Sequence, residues 1–153
     1  MATPNQKRGA AALVAAALIA TPFIGAREGK RNDPYVDSVG VLTVCYGETR
    51  VNMRHYSDAE CKAMLDTAIR TDFGPQVLAC TPDIADKPRV LAASISLAYN
   101  IGARGYCRST AARKFNAGDI AGGCNAFMLW DHPREIIGRR KQERDLCLSG
   151  VAK

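Results

Sequence analysis

The sequence predicts an α+β fold, with a small antiparallel sheet lobe ahead of a mostly helical lobe and an apolar N-terminal helix preceding both. Three observations predict it. Short β-friendly runs broken by Gly40 and Gly47 are confined to residues 35–55, apolar residues recur at helical spacing through most of the chain after them, and residues 9–26 carry no charge. With 153 residues, 47% hydrophobic and 24% charged, the chain can bury a core, and collagen, coiled-coil, disordered and multi-span membrane classes are excluded.

The N-terminal element comes first. Gly9 to Ala26 is an uncharged stretch of 18 residues flanked by Lys7 and Arg8 before it and Arg27, Glu28, Lys30 and Arg31 after it. As a helix it would reach roughly 27 Å, just short of a hydrocarbon core about 30 Å thick. Leu13, Val14, Leu18, Ile19, Phe23 and Ile24 are its only large apolar side chains and Ala dominates the rest, so lipid would hold it weakly. A cleaved signal peptide is the alternative, but a cut after Ala26 or Ala20 places Ile24 or Leu18 where a small residue is needed. Basic residues on both sides leave orientation open by charge. All six cysteines lie beyond the segment, and they assign the remainder of the chain to an oxidising compartment.

From Arg27 onward no repeat or linker interrupts the chain, which divides into residues 1–26, a membrane segment, and 27–153, a single domain. Val39, Val41, Thr43 and Cys45 alternate as in a hairpin or three-stranded sheet. Ser57 with Glu60 forms a capping box opening a helix to about Asp72, closed by Gly74 and Pro75. Pro88 starts another that continues to Gly102, and shorter helices are expected over residues 109–116 and 119–130. The last runs from about Arg134 to Leu148 and stops at Gly150. A cleft is expected between the two lobes.

The chemistry is concentrated just past the apolar segment, where Asp37 stands nine positions after Glu28 and Thr43 six further on. Glycosidic hydrolysis needs a carboxylic acid to protonate the leaving oxygen and a second carboxylate to manage water or developing positive charge. Glu28 and Asp37 are candidates for that pair, and Thr43 for holding the water by its hydroxyl. Taken singly, each has a plainer explanation: a solvated Glu, a turn Asp, a strand Thr. His55 and His132 have no partner at metal-ligand spacing, so neither a metal nor another cofactor is expected. Trp130 could stack on a sugar or sit in the core. Arg139, Arg140, Lys141 and Arg144 could meet anionic polymer or pair with Glu135, Glu143 and Asp145 along their own helix. Beyond residue 26 the balance is 19 basic against 15 acidic, or +4, without a nucleic-acid motif.

Those residues lie in a run that resembles the active-site region of the phage-type lysozymes, glycoside hydrolase family 24: Arg27 Glu28 Gly29, Pro34 to Asp37, and Val39 to Gly47. Ser57 to Leu65, Ala98 to Gly102, Phe115 to Asp119, and Arg139 Arg140 with Glu143 and Leu146 to Leu148 are similar to later parts of the family in register. Glu135, Ile136 and Ile137 depart from the Gly-Leu the family has before its final helix. Within the family the weak Ala-rich N-terminus is similar to endolysins with a signal-arrest-release segment. Some of these carry a cysteine switch, which this segment lacks.

The resemblance implies a lysozyme-like fold and a monomeric muramidase acting on peptidoglycan between N-acetylmuramic acid and N-acetylglucosamine, with Glu28, Asp37 and Thr43 catalytic. It implies tethering to the host inner membrane through residues 9–26, then release to the periplasm. A lytic transglycosylase is the alternative in the same substrate class, and a non-enzymatic basic module that binds the wall is the alternative in another. The cysteines allow fifteen pairings, and sequence neighbours are expected to join: Cys45 with Cys61, Cys80 with Cys107, Cys124 with Cys147.

Overall fold

The structure, a computed structural model, describes residues 1–151. Helix α1 (Pro4–Arg27) opens on a Thr3 cap whose side chain and that of Gln6 satisfy each other's backbone amides. It is the one helix among the described residues long and apolar enough to cross a membrane, yet here it lies against the body. Ala16, Ala17, Ala20 and Ile24 are fully buried on one side, while Val14 and Leu18 face solvent. Small side chains let its backbone approach the other helices closely. Its one buried polar group, Thr21 Oγ1, donates to Asp66 at 3.0 Å, so docking leaves no orphan hydroxyl.

Strands β1 (Arg31–Val36) and β2 (Leu42–Cys45) pair antiparallel, with Tyr35 opposite Thr43 and Arg31 opposite Cys45. Among the described residues the sheet is two-stranded, and an isolated bridge from Val44 to Glu48 extends it. It begins earlier than the alternation of Val39 to Cys45 suggests, because β1 supplies the partner from residues lacking that pattern. Cys45 adopts a left-handed backbone, φ 61°, which ends β2 and turns the chain toward Tyr46.

Helix α2 (Asp58–Ala68) carries the expected capping box, with Ser57 Oγ and Glu60 each bonded to the other's amide. Gly74 and Pro75 do not end the helical path. A π-helical turn over Ile69–Phe73 leads directly into α3 (Gly74–Cys80), and the amide of Gly74 bonds Ile69 O. Pro75 then falls in the first turn of α3, where its missing donor costs little. Gly74 is needed for contact instead: a Cβ there would lie 2.5 Å from both Ile69 O and Leu13 Cδ2 of α1.

The central helix α4 (Pro88–Ile101) buries an unbroken run from Val90 to Ala98. Helices α5 (Ala103–Cys107), α6 (Thr110–Asn116), α7 (Ile120–Asn125) and α8 (Ile137–Ser149) surround it. Residues 126–129 tighten into a 3₁₀ turn after α7, so the element expected over 119–130 is two pieces. A 3₁₀ turn at 134–136 likewise precedes α8. The main core joins α1, α4 and the α6 to α8 lobe through Ile24, Leu91, Ile95, Phe115 and Phe127. Trp130 is half-buried against it.

Three disulfides tie pairs of elements together. Cys45–Cys61 joins the hairpin to α2, Cys80–Cys107 joins α3 to α5, and Cys124–Cys147 joins α7 to α8.

Candidate active site

Glu28 caps the C-terminus of α1: its amide bonds Ile24 O at 2.8 Å and its backbone then turns extended, ψ 138°. The side chain is held by Arg139 of α8, whose Nη1 donates to Oε1 at 2.7 Å. Arg139 is itself mostly buried, 9% exposed, and its Nε reaches Glu143 at 3.3 Å. Glu143 has no exposed surface and also accepts from Arg140 and Ser96. Arg140, equally buried, bonds Asn100 and Trp130 O. The basic run of α8 is therefore an internal ion-pair network behind Glu28, and burial pulls the Arg140 guanidinium below its ordinary value while Glu143 opposes that shift.

Arg27 fastens the same corner. Its Nε donates to Gln142 of α8 at 2.8 Å, its Nη1 to Phe23 O at 2.7 Å, and its guanidinium lies 3.4 Å from the Phe23 ring centroid. Burial, then the charge of Arg139, lowers its pKa.

Glu28 lines a cleft of about 310 Å³ with Tyr46, Glu48, Arg50, Tyr99 and Asn100. Tyr99 donates to Tyr46 O across the lobes, and burial followed by the charge of Glu28 pushes its hydroxyl well above the ordinary tyrosine value. It remains a neutral donor. Glu48 Oε1 accepts from the Thr49 and Arg50 amides and from Arg50 Nε at 3.1 Å, and Arg50 reaches on to Asp72 in the π-helical turn. Burial raises the Glu48 pKa, but the bonds from Arg50 outweigh it and the net shift is downward.

Asp37 and Thr43 lie on the hairpin, outside the lining of that cleft. Asp37 comes directly after β1, and its Oδ1 accepts from the amides of Val39 at 3.0 Å and Val41 at 2.8 Å, closing the turn that Gly40 completes at φ 83°. Thr43 is nearly buried in β2 and donates to Val41 O at 2.9 Å. Sequence reasoning missed Glu48, Arg50 and Asp72. The available signal was Glu48, which directly succeeds the Tyr46–Gly47 turn leaving β2.

A hairpin lobe, a helical lobe and an acid at a helix end between them define the lysozyme fold class. A mutant P22 lysozyme has the same fold, with a TM-score of 0.66 over 85% of this chain and 95% of that one at 23% identity. Residues 25–143 match the phage lysozyme family. The SAR-endolysin of Bacteriophage PS119 is 38% identical over 154 residues, covering 93% of this chain and 89% of its own, and that of Bacteriophage PS34 is 36% identical with the same coverage. The chain belongs to the phage lysozyme family, and it is a peptidoglycan-degrading endolysin.

Proposed function

We propose that the chain is a muramidase that hydrolyses the β-1,4 bond between N-acetylmuramic acid and N-acetylglucosamine, with Glu28 as the proton donor. The observation that carries this reading is Glu28 at the end of α1, in the interlobe cleft and fixed by Arg139. A carboxyl group held at a helix end by a mostly buried guanidinium meets a sugar oxygen without searching rotamers, which is the positional requirement of acid catalysis. Asp37 acts as base or electrostatic stabiliser of the oxocarbenium-like transition state, and Thr43 positions water. Hydrolysis by this pair needs one carboxyl group protonated and the other ionised.

A second reading is favoured by one observation: Asp37 Oδ1 and the Thr43 hydroxyl are both engaged within the hairpin. A lytic transglycosylase works with a single Glu. Product analysis separates the two, since a reducing-end muramic product supports hydrolysis and an anhydro-muramic product supports the alternative. Glu28→Gln removes the proton and keeps the shape. Abolished wall clearing by a folded variant is expected, and undiminished clearing would leave a non-enzymatic wall-binding module.

Residues 1–26 serve as the tether and 27–153 as the lytic domain, exported to the host inner membrane and released to the periplasm. The docked α1 supports this reading. Glu28 stands two residues beyond Ala26 and takes its position from α1, so a segment lodged in lipid withdraws the acid from the cleft and silences the enzyme.

A further inference from the structure

Thr21 is the polar exception on the buried side of α1, where its companions are Ala16, Ala17, Ala20 and Ile24. Its Oγ1 donates to Oδ1 of Asp66 in α2 at 3.0 Å. The other oxygen of that carboxylate lies 2.9 Å from Nε of Arg70, four residues on, so the acceptor is itself held. Among the described residues this is the one side-chain hydrogen bond between the apolar stretch 9–26 and the body, because Arg27 makes its own from beyond that stretch. Its acceptor is charged, which makes it stronger and more directional than a bond between neutral groups.

Apolar contact alone defines the register of this helix weakly. Burial of apolar surface has no direction, and alanine recurs at positions 12, 16 and 20, so a slip of one turn still places alanine at two of the buried sites. Such a slip carries Glu28 about 5.4 Å along the axis, out of reach of the Arg139 guanidinium it meets at 2.7 Å. Leu13 over Gly74 resists sliding by shape, but it lies on the far side of Pro22. Pro22 has no amide to bond Leu18 O, and the helix is most pliant over that turn. Thr21 stands at the C-terminal end of the turn, so its hydroxyl anchors the piece that runs on to Glu28. Seven residues, two helical turns, separate the two and put them on nearly the same face.

We infer that Thr21 is a positioning residue for the lytic reaction: its bond to Asp66 fixes the register of the last turns of α1 and thereby sets the Glu28 carboxyl beside Arg139 in the cleft. The inference rests on the reading of Glu28 as proton donor, and it names the contact that holds the donor in place. A hydroxyl suits a segment with two environments. In lipid it bonds the carbonyl of Ala17, four positions back in its own helix, and costs little. Against the body it turns to Asp66. A charged side chain at this position would hold the docked state at the expense of the tethered one, and valine would do the reverse.

The test uses the full chain after release, with Thr21→Val, which keeps the shape and removes the donor, and Asp66→Ala, which removes the acceptor without altering α1. On soluble glycan strands each should lower kcat about tenfold at unchanged KM, since the cleft walls are untouched and the acid alone is displaced. Thr21→Ser should restore most of the loss, and the double variant should lose no more than either single one. Additive losses, a rise in KM in place of the fall in kcat, or full kcat in folded Thr21→Val would overturn the inference. A second readout needs no turnover: the side-chain ¹⁵N signal of Arg139 should shift in Thr21→Val and in Asp66→Ala, and return in Thr21→Ser. An unmoved Arg139 signal would overturn the inference even where kcat falls. That signal reports position alone, so its outcome is distinct from that of Glu28→Gln, which tests the donor reading itself.

Discussion

Glu143 is a carboxylate with no exposed surface, and two guanidinium groups and a serine hydroxyl make that tolerable. Removing one partner of a buried pair leaves a charge with no compensation, a larger effect than the net worth of the pair. Arg140→Met is expected to destabilise the protein by about 3–5 kcal/mol in denaturant unfolding, and adding Glu143→Met should recover part of it. Recovery of nothing would show that Arg140 acts mainly through Asn100 and Trp130 O. Glu48 differs in being open to pH. Its folded pKa is depressed by Arg50 despite burial, so its contribution is present above the unfolded carboxylate value, about 4.3, and is lost as pH falls through the lower folded value. Glu48→Gln should therefore lower stability above pH ~6 and converge with the unsubstituted protein as pH falls, which flattens the acid side of the stability–pH curve. A parallel downward displacement at every pH would assign its role to packing. At this scale the sequence exposed residue types and the pairing of Arg139 and Arg140 with Glu143 along one helix, but not partners distant in the chain. The proximity of Glu28 to Arg139 spans 111 positions, and no local pattern announces a contact at that separation.

Helix starts were legible where a side chain caps them. Ser57 and Ser109 accept from the amides three positions on, as does Asp119, and all three helices begin where such residues predict. Ser57→Ala should cost about 1 kcal/mol, read from the unfolding midpoint. Helix ends were less legible. Gly74 and Pro75 have the composition of a terminator, yet the π-helical turn carries the chain through them, and what the position requires is absence of a side chain beneath α1. Gly74→Ala must push against Ile69 O and Leu13, a backbone atom and a residue of the helix that carries Glu28. About 1–3 kcal/mol of stability should be lost through overpacking. If the push on Leu13 lifts α1, lytic activity at a temperature where the variant remains folded should fall as well. Full activity in a destabilised variant would mean that α3 moves and α1 does not.

For the molecule as a whole, α1 has two environments to satisfy with one sequence. In lipid its worth depends on total apolarity, whereas in the docked state it depends on which side each residue faces. Ala16, Ala17 and Ala20 are buried against the body, but Ala11 and Ala15 are exposed beside an open groove that reaches Leu78 and Pro88. An alanine count in the sequence could not distinguish these sets, because the uncharged stretch is nearly uniform and the docking face is chosen by the rest of the chain. The distinction makes membrane retention separable from misfolding. Ala11→Leu with Ala15→Leu adds apolar surface on the open side, where each leucine favours insertion by about 0.5 kcal/mol. Ala16→Leu with Ala17→Leu adds the same apolarity on the packed side and overfills the core. Loss of membrane potential changes the energy of flanking charges by about 2.3 kcal/mol per charge per 100 mV, and the added leucines oppose the resulting departure from lipid. The exposed pair of substitutions should hold the protein in the membrane fraction and delay lysis, while the detergent-extracted, refolded protein keeps its unfolding midpoint and clears isolated peptidoglycan. The packed pair should lose membrane release and clearing together. Lysis on schedule by the exposed-side variant would show that escape from lipid does not control this enzyme, and clearing by the packed-side variant would show that Glu28 reaches its place without the docked helix.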